Sequence, residues 1–209
     1  MKCLNNKIVR LTFVCLSLAA PTAMAGGGPL GIDRRLPQNE QGIWGRSQQR
    51  ALEGIVVGGT LFGAVWEGSD SRLGRTFWQA TDSIVLGQVG YLVLNNTFRR
   101  LRPSRTDSPN EWFKSGGHSF PSGEVTAIGS AVTPFVLEYG LDTPAVHALE
   151  LLPLYDAVAR VKSQAHWQSD VLAGWALGTT AGYYAHSRDV PFSVRILRHG
   201  LNVGWRKQF

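Results

Sequence analysis

The stretch Arg160-Val161-Lys162-Ser163-Gln164-Ala165-His166-Trp167-Gln168-Ser169-Asp170, followed by the apolar segment Val171 to Ala185, decides how the rest of this chain is read. Taken as helix, the spacing predicts His166 and Asp170 on one face, a turn apart, because residues four apart stack along a helix. A carboxylate so placed holds one imidazole nitrogen, fixes the tautomer and leaves the other nitrogen free to act. Arg160, one element earlier, offers a planar fork of donors that suits a phosphate. The competing reading is a surface His-Asp pair beside an unrelated arginine, and the flanking sequence has to decide between them.

Moving toward the N-terminus, Ala145 to Val161 reads as one helix around Pro153, after a turn over Gly140 to Pro144. Before that turn, His118-Ser119-Phe120-Pro121-Ser122-Gly123-Glu124 precedes an apolar segment, Val125 to Tyr139. Pro121 and Ser122 mark a helix start, where free backbone N–H groups and the helix dipole attract anions. Further upstream, Thr76 to Phe98 reads as a mostly buried helix that runs into Arg99, Arg100, Arg102 and Arg105. Arg102-Pro103 is expected to close that helix, since proline cannot continue it and drives the preceding residue out of the α region. The polar loop Ser104 to Gly117 is long enough to be functional or mobile.

The first 25 residues carry Lys2, Lys7 and Arg10, an apolar run from Leu11 to Ala20, then Pro21 and Ala23-Met24-Ala25. That is the pattern of a secretory signal peptide cleaved near Ala25, and the run is too short to remain as a bilayer anchor. Export, to a periplasm-like compartment, is therefore expected. Cys3 and Cys15 both fall in the removed segment and in no convincing lipoprotein acylation box, so no disulfide or thiol chemistry is expected of the mature chain. Residues 26–43 read as an extended arm rich in Gly, Pro and polar residues. Trp44 to Trp66 reads as an apolar helix ended by Glu67-Gly68-Ser69-Asp70, with Gly58, Gly59 and Gly63 spaced to let another helix approach closely. The C-terminal alternation Phe192, Val194, Ile196, then Leu201, Val203, Trp205 predicts a β-hairpin within 191–209.

Without residues 1–25 the chain keeps 18 basic against 15 acidic residues, a net charge of +3. That is too weak, and too little interleaved with aromatics, for a nucleic-acid surface, so no nucleic acid is expected as a partner. The mean hydropathy is −0.07. Each apolar segment is broken by Gly, Glu138, Glu150 or Asp156 before it reaches the ~20 residues of a membrane span. A single helical domain over 44–209, soluble or in peripheral contact with a membrane, is the expected organisation, and a compact membrane bundle of short, glycine-broken spans is the less favoured alternative. It has no internal repeat and no low-complexity tract.

Three separated pieces thus share an affinity for phosphate: Arg102-Pro103, Ser122-Gly123, and Arg160 with His166 and Asp170. Together they resemble the type 2 phosphatidic acid phosphatases, which share their site with vanadium haloperoxidases and bacterial class A acid phosphatases. That family shows Lys, six residues, Arg-Pro; then Pro-Ser-Gly-His; then Ser-Arg, five residues, His, three residues, Asp. Here the sequence has Asn95, six residues, Arg102-Pro103; then Pro121-Ser122-Gly123-Glu124; then Ala159-Arg160, five residues, His166, three residues, Asp170. The order and internal spacings agree across 76 residues, from Asn95 to Asp170.

The resemblance implies an all-α helical bundle with a phosphohistidine-forming site and no cofactor or metal. It makes His166 the nucleophile and Asp170 its orienter. Arg102, Ser122, Gly123 and Arg160 become the oxyanion cradle, with Asn95 in the place of the family's lysine. Asn95 there can still donate a hydrogen bond, and Arg99 or Arg100, within a turn, is available to supply the missing charge. Glu124 stands where the family has the histidine that protonates the leaving oxygen. A carboxyl beside a phosphate dianion is repelled into its protonated form and so is a general acid, or else it is only an acid favoured at a helix start. His118 is the alternative acid. A metal site on His118, Glu124, His166 and Asp170 is disfavoured by the arginines aimed at the same place. The expected function is an exported phosphatase for phosphomonoesters or lipid phosphates. The alternative is a non-catalytic protein that binds phosphate or lipid phosphate and has lost turnover. A vanadate-dependent peroxidase is disfavoured by the absent lysine and histidine.

Overall fold

The computed structural model describes residues 26–188, 193–197 and 200–204. The expected signal peptide, 1–25, lies outside the described residues, as do the turn and both ends of the expected hairpin. The described helices are α1 Arg46–Glu67, α2 Arg72–Phe98, α3 Gly123–Tyr139, α4 Leu151–Lys162 and α5 Gln168–His186. Strands β1 Ser193–Leu197 and β2 Gly200–Gly204 follow and pair antiparallel, with Val194 opposite Val203. The architecture is the helical one the sequence predicts.

Helix α3 is the central element. Residues Val125 to Val132 are buried without a break, as befits a helix apolar on all sides. Helix α5 lies directly on it through Gly174, Gly178 and Gly182, one residue per turn on one face. A Cβ on Gly174 would sit 2.5 Å from the Ser122 carbonyl oxygen, and one on Gly178 would sit 2.6 Å from that of Thr126. Backbone therefore meets backbone, and the ordered contacts, Gly174 with Ser122 and Gly182 with Thr133, make α3 and α5 parallel. Both N-termini consequently lie at one end of the bundle, where the Ser122 N–H donates to the Asp170 carbonyl at 3.0 Å. Helix α2 runs the other way along α3, with Gly87 against Ser130, Tyr91 against Gly123 and Asn95 bonded to Phe120. Its C-terminus reaches the same end.

Four local expectations need correction. Helix α2 starts at Arg72, not Thr76, because Ser71 Oγ caps it by accepting from the Gly74 N–H at 2.9 Å. It ends at Phe98, before Arg102-Pro103, because Arg99 turns into the left-handed region at φ 43°. Ala145 to Val161 is not one helix: a 3-10 segment, Pro144–Glu150, leads into α4, and Pro153 occupies the first turn, where an N–H has no helical partner. Of the glycines expected to admit a second helix, only Gly63 meets a neighbour, the Phe77 ring; Gly58 and Gly59 face open space.

The loop 104–117 is tied down at several points. Leu101 N–H donates to Glu111 O, Lys114 N–H to Arg99 O and Ser104 N–H to Gln164 O. Trp112 packs edge-on against Phe98 and Phe120. At the opposite end of the bundle Arg72 joins Glu138 and Asp142, linking α2 to the end of α3.

Candidate active site

The end at which α3 and α5 begin carries a cavity of about 160 Å³ lined by Glu53, Gln88, Tyr91, Arg102, Gly123, Glu124, Arg160 and His166. That volume has room for a phosphate group. Five of the residues singled out in the sequence, Arg102, Gly123, Glu124, Arg160 and His166, thus converge on one wall system from α3, α4 and the two loops.

His166 precedes α5 rather than riding on it, so the helical stacking expected between His166 and Asp170 does not occur. The imidazole is 3 % exposed. Its Nδ1 lies 2.6 Å from the Ser119 carbonyl oxygen. A carbonyl only accepts, so Nδ1 carries the proton and Nε2 keeps its lone pair. Burial, then the charges of Arg160 and Arg102, hold the pKa well below that of an ordinary histidine, which keeps the ring neutral.

Asp170 reaches His166 only through Ser119. Its Oδ2 accepts from Ser119 Oγ at 2.5 Å and from the Trp167 N–H at 2.9 Å, and its Oδ1 accepts from Arg100 Nη1 at 2.6 Å. Burial pushes this carboxyl's pKa up, while Arg100, Ser119 and the Trp167 N–H act the other way. Arg100 is therefore not the substitute cation at the phosphate. It is fully buried, shared by Asp33 and Asp170, and set over the Trp112 ring at 4.5 Å. Arg99 is exposed at the end of α2.

Asn95 is buried, and its amide is already engaged: Nδ2 donates to the Phe120 carbonyl at 3.0 Å and Oδ1 meets His118 Nδ1 at 3.1 Å. It holds the loop ahead of α3 and is absent from the cavity wall, contrary to its expected place on the phosphate. His118 is exposed and likewise absent from the wall, while its carbonyl accepts from Arg102 Nη2 at 3.3 Å. Ser122 is the N-cap residue of α3, but its Oγ is buried with no partner among the described residues, and Arg160 Nε is in the same state. A buried donor without a partner is costly, and the two lie on elements that converge on the cavity.

Glu124 is in the wall, and both its oxygens are occupied. Arg46 donates to them at 2.5 and 2.6 Å, and Arg160 stands 3.5 Å away. Gln49 Oε1 joins the two guanidiniums, accepting from Arg46 at 3.2 Å and from Arg160 at 3.0 Å. Behind them Asp156, one helical turn before Arg160, has both oxygens buried without a hydrogen-bond partner among the described residues. Burial and then the Glu124 charge push its pKa up to about 7. Glu53 is also raised, by burial and then by Glu124.

Sequence reasoning missed Arg46, Gln49, Glu53, Gln88, Tyr91 and Asp156. They come from single positions on α1, α2 and α4, and no motif marks them. The loop 104–117, long enough in the sequence to be functional or mobile, contributes no residue to the cavity wall.

Similarity to known proteins agrees with this geometry. The chain is 33% identical over 87 residues to a lipid A 1-phosphatase of Porphyromonas gingivalis, a stretch covering 41% of this chain and 18% of that relative. The chain thus spans less than a fifth of that protein's length. The crystal structure of Aquifex aeolicus LpxE superposes with a TM-score of 0.51 over 67% of this chain and 84% of that one, at 20% identity, a likeness of fold. The family model described as the PAP2 superfamily matches residues 77–190, which hold Arg102, Ser122, Gly123, Arg160, His166 and Asp170. With more than half of its length matched and those residues gathered at one end of a helical bundle, the chain belongs to the PAP2 superfamily.

Proposed function

We propose that the protein is an exported phosphatase that hydrolyses phosphomonoesters, lipid phosphates foremost, through a phosphohistidine on His166. The observation that carries this is the placement of His166: its Nδ1–H is held by the Ser119 carbonyl, in the wall of a cavity with two arginines and room for a phosphate. Nε2 attacks phosphorus, the P–O ester bond breaks, and the leaving oxygen takes a proton. Water then attacks phosphorus and gives up a proton to the group that protonated the leaving oxygen, and the P–N bond breaks, releasing phosphate and restoring the imidazole. Arg102, Arg160, Ser122 Oγ and the N–H groups opening α3 take the equatorial oxygens, giving the two unpartnered donors their acceptors.

The incoming dianion competes with Glu124 for Arg46 and Arg160. Arg46 then supplies the positive charge that Asn95 does not, and Glu124, released, becomes able to carry the leaving-group proton. The lipid preference draws on the named relative and on an apolar surface beside the cavity. Helix α2 exposes Val85, Val89, Leu92 and Val93 around the cavity residues Gln88 and Tyr91. No helix of the described residues is long and apolar enough to cross a membrane. On this reading the lipid substrate is taken by peripheral contact through the exposed α2 face. Export rests on the pattern of residues 1–25.

The closed Glu124–Arg46 pair and the engaged Asn95 favour a second reading, a protein that binds lipid phosphate without turning it over. Phosphate release from phosphatidic acid in mixed micelles and from para-nitrophenyl phosphate separates the two. A phosphatase releases phosphate from both, and His166→Ala abolishes it. A binding protein releases none from either while still binding orthophosphate.

A further inference from the structure

The arm preceding α1 makes an ordered series of bonds to a single place, the segment that presents His166. Asp33 Oδ1 accepts from the Ser169 N–H, and Oδ2 from Ser169 Oγ, both at 2.7 Å. The Arg34 N–H donates to Gln168 Oε1, and Gln168 Nε2 donates back to the Arg34 carbonyl, both at 2.9 Å. Gln164 Nε2 donates to the Leu36 carbonyl at 2.6 Å, and Arg35 Nε donates to Gln164 Oε1 at 3.3 Å. The Asn39 N–H donates to the Lys162 carbonyl at 2.9 Å. Rising along the arm means falling from Ser169 to Lys162, so the two segments zip antiparallel with His166 inside the clamped stretch. The arm lies outside the residues matched by the family, 77–190.

The innermost member of this strap is Asp33, whose side chain is fully buried. Its Oδ2 also accepts from Arg100 Nη2 at 2.5 Å. Arg100 Nη1 donates to Asp170 at 2.6 Å and to Ser169 Oγ at 2.8 Å, and the remaining donors go to the Pro109 carbonyl at 3.0 and 2.6 Å. Every edge of the guanidinium is thereby fixed. Asp170 in turn holds Ser119 Oγ, and the Ser119 carbonyl holds His166 Nδ1. A continuous chain of bonds runs Asp33, Arg100, Asp170, Ser119, His166. Asp33 and Asp170 thus share the one Arg100 guanidinium behind the imidazole. Buried ion pairs add little net stability, and this one fixes the geometry of the groups that hold His166.

We propose that Asp33 is a positioning residue for the phosphoryl transfer, setting Asp170 through Arg100 and the His166 segment through Ser169. This rests on the phosphatase reading above. The test is Asp33→Asn in the full chain, assayed with para-nitrophenyl phosphate below the melting temperature of the variant, with orthophosphate inhibition measured in parallel. We expect kcat to fall about 10²-fold, the usual cost of a slightly misplaced group. KM and the inhibition constant of orthophosphate should change by less than about threefold, since the cradle does not depend on Asp33. The double variant Asp33→Asn with Ser119→Ala should be no slower than Ser119→Ala alone, because both cut one chain.

A kcat within about twofold of wild type overturns the proposal, as does a parallel loss of kcat and orthophosphate affinity that multiplies with Ser119→Ala. If Asp33→Asn does not fold, Gln168→Ala, which cuts two exposed bonds of the same strap, is read by the same split. A wild type that releases no phosphate defeats the phosphatase reading by itself. Positioning is then decided by the ¹⁵N shifts of His166. A fixed Nδ1–H tautomer in wild type that averages in Asp33→Asn supports the proposal, and identical spectra overturn it.

Discussion

Both oxygens of Glu124 are taken by Arg46, with Arg160 beside them, and they are free to meet a leaving group only when another anion draws those guanidiniums away. The role proposed for it is therefore conditional on substrate, and leaving-group dependence exposes it. Glu124→Gln keeps the shape and removes the titrating proton, so alkyl phosphates should slow by roughly 10²-fold or more while aryl phosphates are spared. Equal rates for both substrate types in the variant would make Glu124 an anchor for Arg46 and nothing else. The same position marks how far single residues were legible. Arg102, Gly123, Arg160 and His166 were found because their spacing is local to short motifs. Arg46 and Asp156 were not, because α1 and α4 bring them there from positions that carry no pattern of their own. Asn95 was placed on the phosphate by its spacing, but its amide was drawn to the Phe120 carbonyl and His118, partners that only the folded loop supplies.

At the scale of elements, the parallel contact of α3 and α5 is what aligns the two N-termini, and it depends on glycine at the crossing. Gly178→Val would drive a side chain into the Thr126 carbonyl and the Ser130 N–H, which an ideal Cβ already approaches to 2.6 and 2.9 Å. Backbone cannot move aside cheaply, so urea melts should show a loss of about 3 kcal/mol or more, with phosphate release falling at temperatures where the fold persists. Gly58→Ala on α1 is the contrast: with nothing within 4 Å, it should stabilise by up to about 1 kcal/mol through helix propensity. The helices themselves were legible from their apolar segments. Their ends were not, because Ser71, Arg99 and Pro153 act through local capping and first-turn geometry that periodicity does not register.

For the molecule as a whole, the acidic group behind the cavity makes stability depend on pH. Asp156 has its pKa raised from 3.8 to about 7. A raised folded-state pKa gives stability that is fully present below the unfolded value and is lost as pH rises through the folded one. The wild type should therefore lose stability between about pH 4 and pH 7, on the order of 4 kcal/mol at about 1.4 kcal/mol per unit. Asp156→Asn should flatten that slope and be the more stable form at pH 8, read by urea unfolding at pH 5 and pH 8; parallel slopes would contradict it. The sequence by itself determined that the chain is a helical bundle and that a phosphate-seeking triad of motifs lies on it in order. Apolar periodicity and short-range spacing are properties of neighbours along the chain. Who holds whom is settled in the folded chain: Ser119 rather than Asp170 bonds His166, Arg100 is a buried strut, and an N-terminal arm clamps the His166 segment. Those pairings join residues 47 to 136 positions apart, and their choice follows from close approach and the need to pair every buried charge.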